Sequence, residues 1–326
     1  MMKYLRQVLN KNNDRIMKCE NNIIVGSGPL GLSVAEILLK QDKKVTIVNR
    51  SGKINKNLPK QLSVIAGDAS DPRFVYEVCR GADVVFHCAM PEYTQWENKF
   101  YRLTKGIFDG IKLSGCRLVY GDNLYCYGNI NGAVYHENLA YQYIGNKGRL
   151  RASMADMLLA DKDMDVAIGR ASDFYGPMVE NSVLSMDLFQ SILLGKKINL
   201  LGNIDLPHTF TYVKDFASAL VILSENEDAF GHVWHVPNAP TITTRQLINI
   251  IGDKVDKPIK TRVASKSMVS FLGLFNPILR EMKEIMYQWQ QPYRVESKKF
   301  NEKFGNKYTP YDIAIDETLN WIKSTL

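Results

Sequence analysis

The sequence predicts an α/β protein in which a doubly wound parallel sheet carries a smaller, discontinuous C-terminal lobe. Short apolar runs alternate with amphipathic stretches of helix length from about residue 22 to residue 170, an alternation that is typical of βαβ units. A glycine-rich turn follows the first apolar run and opens the first amphipathic stretch. Beyond residue 177 the pattern changes to helices with isolated strands, which predicts the second lobe.

Apolar runs of strand length supply the predicted strands, which are residues 22–25, 44–48, 62–65, 83–87, 117–120 and 165–169. Between them, apolar residues spaced three and four apart predict helices at 30–39, 96–113 and 150–159. Two later runs, 210–213 and 233–235, are predicted to return to the same sheet. The apolar segment 268–275 and the amphipathic stretch 278–289 are interpreted as a core or dimer helix, with a membrane-surface helix or a lid over an apolar ligand as the alternatives.

The chain of 326 residues, 45% of them hydrophobic, can bury a large core. We predict a basic extension at 1–18, a first domain at 19–177 plus 204–238, and a second lobe at 178–203 plus 239–326. Met17 lies just before the first strand, so residues 1–16 are interpreted as a dispensable leader or a translation-start artefact.

The net charge of +7 is concentrated in the first 18 residues, which hold five basic groups and one acidic group. Arginine and aromatic residues are not interleaved, so the charge predicts attraction to phosphorylated small molecules and no nucleic-acid partner. No segment resembles a signal peptide or a membrane span, which predicts a cytoplasmic protein without a membrane partner. The five cysteines form no CxxC pair and predict neither a metal site nor a disulfide framework.

The glycine-rich turn predicts a site for the pyrophosphate of a dinucleotide. Gly26 allows the tight turn, Gly28 lets the backbone approach the pyrophosphate, and Gly31 lets helix and strand pack closely. Pro29 and Leu30 open the helix, whose N-terminal N–H groups attract an anion.

The ends of the next strands predict the rest of the cofactor site. Asn49, Arg50 and Ser51 follow the second strand, where no carboxylate is present to bind a ribose 2′-hydroxyl, so a 2′-phosphate and NADP are favoured over NAD. Asp68 and Ala69, after the third strand, are predicted to contact the adenine.

The turn after the fourth strand is built from small residues, which predicts that the nicotinamide ribose passes close to its backbone. The predicted contacts are Cys88, Ala89 and Met90, whereas His87 is expected to pack at the strand end.

These motifs resemble, in kind and in order, the extended short-chain dehydrogenase/reductases, and in particular the NAD-dependent epimerase/dehydratase family. The segments that carry the resemblance are the glycine turn, residues 67–68, 87–91 and 127–128, RASDFYGP at 170–177 and TYVKD at 211–215. The resemblance implies a Rossmann-type domain, a C-terminal substrate lobe, and chemistry at a hydroxyl or carbonyl carbon of a nucleotide sugar or a related small molecule. It also leaves a homodimer open.

The resemblance further implies a catalytic pair and its partner. Tyr143 and Lys147 match the YxxxK motif, and one helical turn is expected to bring both side chains to the same face. The Tyr143 phenolate would take a hydroxyl proton while Lys147 supports it and contacts the cofactor. Asn123 stands where the family has Ser or Thr, and an amide can bind a substrate oxygen but cannot relay a proton.

Three further residues are predicted to bind substrate, namely Asp173, His208 and Tyr125. Asp173 replaces an asparagine of the family pattern, and His208 fits a structural role equally well. Leu124 and Tyr125 stand where a dehydratase would have an acidic pair, so dehydration is disfavoured while reduction and epimerisation stay open. A dinucleotide-binding sensor or scaffold without turnover is the alternative.

Overall fold

The computed structural model describes residues 19–54, 62–180 and 182–325, so the predicted extension at 1–18 lies outside the described residues. The strands are β1 Asn21–Val25, β2 Lys44–Asn49, β3 Leu62–Ala66, β4 Val84–His87, β5 Arg117–Asn123, β6 Val134–Tyr135, β7 Val166–Ala171, β8 Asp173–Tyr175, β9 Ile198–Leu201, β10 Pro207–His208, β11 Phe210–Tyr212, β12 His232–His235, β13 Ile242–Thr243, β14 Thr261–Ala264 and β15 Arg294–Val295.

The helices lie between these strands and after them. They are α1 Pro29–Lys40, α2 Pro72–Cys79, α3 Trp96–Ser114, α4 Gly145–Ala160, α5 Met186–Leu193, α6 Val213–Glu225, α7 Thr244–Val255, α8 Lys266–Leu272, α9 Pro277–Met282, α10 Lys298–Phe304 and α11 Tyr311–Lys323. No helix within the described ranges is long and apolar enough to cross a membrane.

Seven strands form the central sheet in the order β12-β7-β5-β4-β1-β2-β3, and every neighbouring pair in it is parallel. The sheet is the doubly wound, Rossmann-type architecture that the sequence predicts. The chain winds outward in both directions from β1, which lies between β4 and β2. A crevice therefore opens at the carboxyl ends of β1 and β4, where open α/β sheets bind their ligands.

Helices cover both faces of the central sheet. Because successive side chains of a strand point to opposite faces, each strand contributes to two cores. In β1, Ile24 belongs to the core shared with α1 and α6, whereas Ile23 and Val25 belong to the core shared with α2, α3 and α4. A third core, built from residues between 175 and 322, packs α5, α7 and α11 against β9.

The two predicted returns to the sheet have different outcomes. The prediction for residues 233–235 is confirmed, because β12 pairs with β7 at the edge of the sheet. The prediction for 210–213 is wrong, because β11 pairs with β8 in a separate two-stranded sheet. The chain leaves the central sheet at Ser172, whose N–H donates to the Thr211 hydroxyl instead of a sheet neighbour.

Of the segments 268–275 and 278–289, which were predicted as a core or dimer helix, only the C-terminal end lies in the core. Residues 285–289, in a 3₁₀ segment, are buried, whereas α8 buries only Val269 and α9 buries no residue. The apolar side chains between them lie on the surface.

Candidate functional site

The three glycines of the turn at the end of β1 differ in the space around them. A Cβ on Gly26 (φ +111°) would lie 2.7 Å from the Ala89 backbone nitrogen, and one on Gly31 would lie 2.1 Å from the Gly26 carbonyl oxygen. A Cβ on Gly28 would meet no atom of the described residues within 4 Å. Gly26 and Gly31 are therefore needed for close packing of the backbone, whereas Gly28 leaves space for a ligand.

The first turn of α1 faces that space. Gly28 caps the helix without a side-chain hydrogen bond, and Pro29 occupies the first helical position. The Leu30 side chain is buried in the core, so only its backbone could contact a cofactor. The free N–H groups of this turn suit an anion.

Asn49 ties the end of β2 to the glycine turn. Its Oδ1 accepts the N–H groups of Ser51 and Gly52 at 3.1 and 2.6 Å, and its Nδ2 donates to the Ser27 hydroxyl at 2.9 Å. Arg50 is exposed beside this loop. The Asn49 amide thus stabilises the conformation of the loop, while the Arg50 side chain is exposed to solvent.

Asp68 lies at the end of β3 within the field of Arg50. Its Oδ1 accepts the Ser70 N–H and hydroxyl at 2.9 and 2.8 Å. These bonds, with the charges of Arg102 and Arg50, hold the pKa of the Asp68 carboxyl below its ordinary value, so the group is ionised at neutral pH. Ala69 is buried in the core.

The turn after β4 lies against the glycine turn. The Cys88 N–H donates to the Val25 carbonyl at 2.9 Å, and Met90 is 40% exposed. His87 is buried and its Nε2 lies 3.0 Å from the Thr104 hydroxyl, which confirms that it packs at the strand end.

The predicted geometry of the catalytic pair is wrong. Helix α4 begins at Gly145, and Ile144 is extended, so Tyr143 lies outside the helix and does not share a helical turn with Lys147. The Glu284 carboxylate accepts the N–H groups of Asn146 and Lys147 and so caps the helix at this point. Tyr143 is 46% exposed.

Lys147 is buried, and its ammonium group makes two hydrogen bonds and lies over two aromatic rings. Its Nζ donates to the Glu281 carboxylate at 2.5 Å and to the Tyr93 carbonyl at 3.0 Å. The same nitrogen lies 4.2 Å from the centroid of the Tyr93 ring and 5.3 Å from that of Trp96. These contacts join α4 to α9 and to the loop before α3.

A buried Arg-Asp-Arg cluster lies one turn further along α4, where the sequence predicted no site. Arg151 Nη1 donates to Asp122 Oδ1 at 3.0 Å and to the Tyr120 hydroxyl at 2.6 Å, and Arg170 Nε donates to Asp122 Oδ2 at 2.9 Å. Arg151 Nη2 also lies 3.8 Å from the Met90 sulfur. Two guanidinium groups share one carboxylate, which leaves excess positive charge beside the turn after β4.

The structure brings together the three residues predicted to bind substrate. His208 Nε2 lies 2.9 Å from Asp173 Oδ2, and the imidazole is stacked on Phe210. Burial, followed by the charge of Asp173, raises the pKa of Tyr125 above its ordinary value, so its hydroxyl stays protonated. Asn123 lies nearby in the chain, and its Oδ1 accepts the Tyr125 N–H at 3.1 Å.

Three further polar residues surround this group and were missed in the sequence. Within the described residues, the Tyr93 and Tyr287 hydroxyls and both amide atoms of Gln288 are buried without a well-formed hydrogen bond, although Tyr93 and Gln288 approach the Tyr125 hydroxyl. The charge of Asp173 acts on both tyrosines. Buried polar atoms normally have partners, so these atoms suit a polar ligand or water. No spacing in the sequence marks them, because they come from distant segments.

Comparison with known proteins identifies the family. The family model described as "NAD dependent epimerase/dehydratase family" matches residues 23–236. The chain belongs to this family. Membership confirms the predicted resemblance and the prediction of an enzyme of the epimerase/dehydratase type that depends on a nicotinamide dinucleotide. No curated protein matches the sequence.

Solved structures with low sequence identity share the fold of this family member. MoeE5 in complex with UDP-glucose and NAD is 17% identical, with a TM-score of 0.75 over 94% of this chain and 99% of that one. The UDP-N-acetylglucosamine 4-epimerase from Methanobrevibacter ruminantium M1 is 19% identical, with a TM-score of 0.75 over 95% and 100%. DesIV, a dTDP-glucose 4,6-dehydratase from Streptomyces venezuelae, is 15% identical, with a TM-score of 0.77 over 93% and 97%.

Proposed function

We propose that this epimerase/dehydratase family member is an NADP(H)-dependent oxidoreductase or epimerase acting at a hydroxyl or carbonyl carbon of a nucleotide sugar. The observation that carries the proposal is a glycine turn at the β1/β4 crevice that is open only at Gly28, with Arg50 where an NAD site would hold a carboxylate. The bound cofactor supplies a nicotinamide carbon that accepts or donates hydride.

Several of the predicted cofactor residues have a proposed role in this site. The N–H groups that follow Gly28 bind the pyrophosphate, and the guanidinium of Arg50 with the Ser51 hydroxyl binds a 2′-phosphate. Asp68 accepts a hydrogen bond from the adenine amino group. The nicotinamide ribose passes along the backbone of Ala89, which packs against Gly26.

The polar cluster around Asp173 supports a sugar as substrate. Asp173, His208 and Tyr125 combine a carboxylate, an imidazole and a protonated phenol, and Gln288 adds a buried amide next to Tyr125. Sugar hydroxyls both donate and accept hydrogen bonds and can satisfy such a set. The similar solved proteins hold UDP-glucose, UDP-N-acetylmuramic acid and NAD, which agrees with a nucleotide-sugar substrate.

Two groups are candidates for the proton transfer. In the Tyr/Lys mechanism, Tyr143 takes the hydroxyl proton, and Lys147 reaches the cofactor only after exchanging its ion pair with Glu281. Alternatively, the Asp173–His208 pair carries the proton, since a carboxylate that orients an imidazole is a common general-base arrangement. Arg151, which already contacts Met90, then supplies the positive charge on the nicotinamide side.

Turnover of a set of nucleotide sugars with NADP and with NAD tests the proposal. We expect conversion with NADP, and the substitution that abolishes it, Tyr143→Phe or Asp173→Asn, identifies the proton-transfer group. Tyr101→Phe, at a tyrosine that is 39% exposed on α3, is the matched control and retains activity. Tight NADP binding without conversion of any sugar would instead support a dinucleotide-binding protein without turnover.

A further inference from the structure

An exposed apolar hairpin protrudes where α8 meets α9. We call residues 271–278 the apolar tip. Its exposed side chains include Phe275 at 78%, Leu274 at 65%, Phe271 at 64%, Ile278 at 56% and Leu272 at 42%. Single exposed apolar residues are ordinary, but a contiguous group on a short segment marks an interaction surface.

The apolar tip is held in a defined conformation. The Ser265 hydroxyl accepts the Met268 N–H at the start of α8, and Asn276 Oδ1 accepts two N–H groups at the start of α9. The Arg280 guanidinium donates to the Gly273 and Leu274 carbonyls. The two phenylalanine rings of the tip pack edge to face with centroids 6.1 Å apart. Local hydrogen bonds thus fix a conformation that presents these side chains to the outside.

The chain on either side of the apolar tip is basic, although Lys266 and Lys283 also line a cavity together with Glu97 and Glu284. Residues 257–283 hold six basic side chains and one acidic side chain, Glu281, whose carboxylate is paired with the buried Lys147. Lys266 and Lys283 flank the hairpin and are exposed. Within the described part of the chain, five of the six form no salt bridge or side-chain hydrogen bond, namely Lys257, Lys260, Arg262, Lys266 and Lys283.

A second copy of this chain fits the apolar tip poorly. A stable protein interface takes about 20–30 residues a side, whereas the tip offers five apolar side chains on eight residues. Two tips in contact would also bring two basic surroundings together. An anionic bilayer matches both features, because its interface accepts aromatic and aliphatic side chains and its headgroups attract lysine and arginine.

We propose that the apolar tip inserts into the surface of an anionic lipid bilayer, with the surrounding lysines and arginines on the headgroups. This proposal goes beyond the cofactor and sugar chemistry and replaces the sequence-based expectation of no membrane partner. It requires no membrane-spanning helix, since insertion reaches only the interface.

Co-sedimentation of the full chain with lipid vesicles tests this proposal. The unmodified protein is expected to pellet with vesicles of equal parts phosphatidylcholine and phosphatidylglycerol, to bind phosphatidylcholine alone weakly, and to be released by added salt. The double substitution Phe271→Ser with Phe275→Ser is expected to lower vesicle binding by about tenfold or more. Lys266→Gln with Lys283→Gln is expected to weaken only the preference for the anionic vesicles.

The matched control removes two leucines that lie outside the apolar tip and whose exposure is comparable with that of the two phenylalanines. Leu113 and Leu194 are 66% and 55% exposed, and Leu113→Ser with Leu194→Ser is expected to leave vesicle binding unchanged. Circular dichroism checks that each variant is folded, whatever its cofactor binding. Equal binding to both kinds of vesicle, or unchanged binding of the phenylalanine variant, overturns the proposal. So does a dimer in sedimentation equilibrium that only the phenylalanine variant dissociates, because a second copy then covers the tip.

Discussion

At the residue scale, Gly28 and Gly31 differ in what an added methyl group would meet. Gly28 has φ −75° and open space, so Gly28→Ala is expected to fold normally but to lower the affinity for the dinucleotide by about tenfold, because the methyl occupies ligand space. Gly31→Ala is expected to destabilise the protein by about 3 kcal/mol, since its Cβ would lie 2.1 Å from a carbonyl oxygen. Thermal unfolding and cofactor titration measure the two effects.

Each of these variants is the control for the other. A Gly28→Ala protein with undiminished cofactor affinity would show that the pyrophosphate does not approach this turn. A Gly31→Ala protein with unchanged stability would show that α1 and β1 can move apart at no cost.

Arg50 decides the predicted preference for NADP. Arg50→Ser is expected to weaken NADP binding by about tenfold while NAD binding stays nearly constant, because only NADP carries the phosphate that the guanidinium would neutralise. Fluorescence titration with both cofactors measures the ratio.

The control for Arg50 is Arg80→Ser, which removes an arginine that precedes the amino end of β4, whereas Arg50 follows the carboxyl end of β2. We expect it to leave both affinities unchanged. If Arg50→Ser weakens the binding of NAD and of NADP equally, the arginine does not contact the 2′-phosphate.

At the element scale, the sequence predicts the central strands to within about three residues, because buried parallel strands are nearly continuous apolar runs. It misplaces the start of α4 because the cap comes from Glu284, almost 140 residues away in the chain. The grouping of Asp173, His208 and Tyr125 follows from the order of family motifs. The buried polar atoms of Tyr93 and Gln288 could not be predicted, since no pattern in the sequence marks them.

Asp122 joins β5 to β7 and α4 through its two arginines. Asp122→Asn is expected to destabilise the protein by about 4 kcal/mol, because it leaves the guanidinium groups of Arg151 and Arg170 buried without a countercharge. Urea unfolding measures the change. The matched control is Asp205→Asn, which breaks an exposed ion pair with Arg245 and is expected to have little effect. Comparable losses in both variants would contradict a special role for the buried cluster.

At the scale of the whole molecule, two buried histidines link folding to pH. Burial, assisted by the charge of Arg151 for His87 and of Arg170 for His235, lowers the pKa of each imidazole from 6.5 to about 3. Between these values the unfolded chain binds more protons than the folded one. The free energy of unfolding therefore falls as pH decreases from about 6.5 toward 3, by about 1.4 kcal/mol per pH unit for each histidine.

Removing one of these imidazoles is expected to reduce that slope by the contribution of one proton. His87→Gln keeps a polar group beside Thr104 but removes the titration, so the slope of unfolding free energy against pH, measured by urea unfolding between pH 4 and pH 6, decreases by about 1.4 kcal/mol per unit. Thr104→Val removes the hydrogen bond of His87 at 3.0 Å without removing a titratable group, and should lower stability with an unchanged slope. Carboxylates contribute equally to the slopes of the unmodified protein and of the two variants. An unchanged slope in His87→Gln would therefore show that His87 is protonated, and not neutral, in the folded protein.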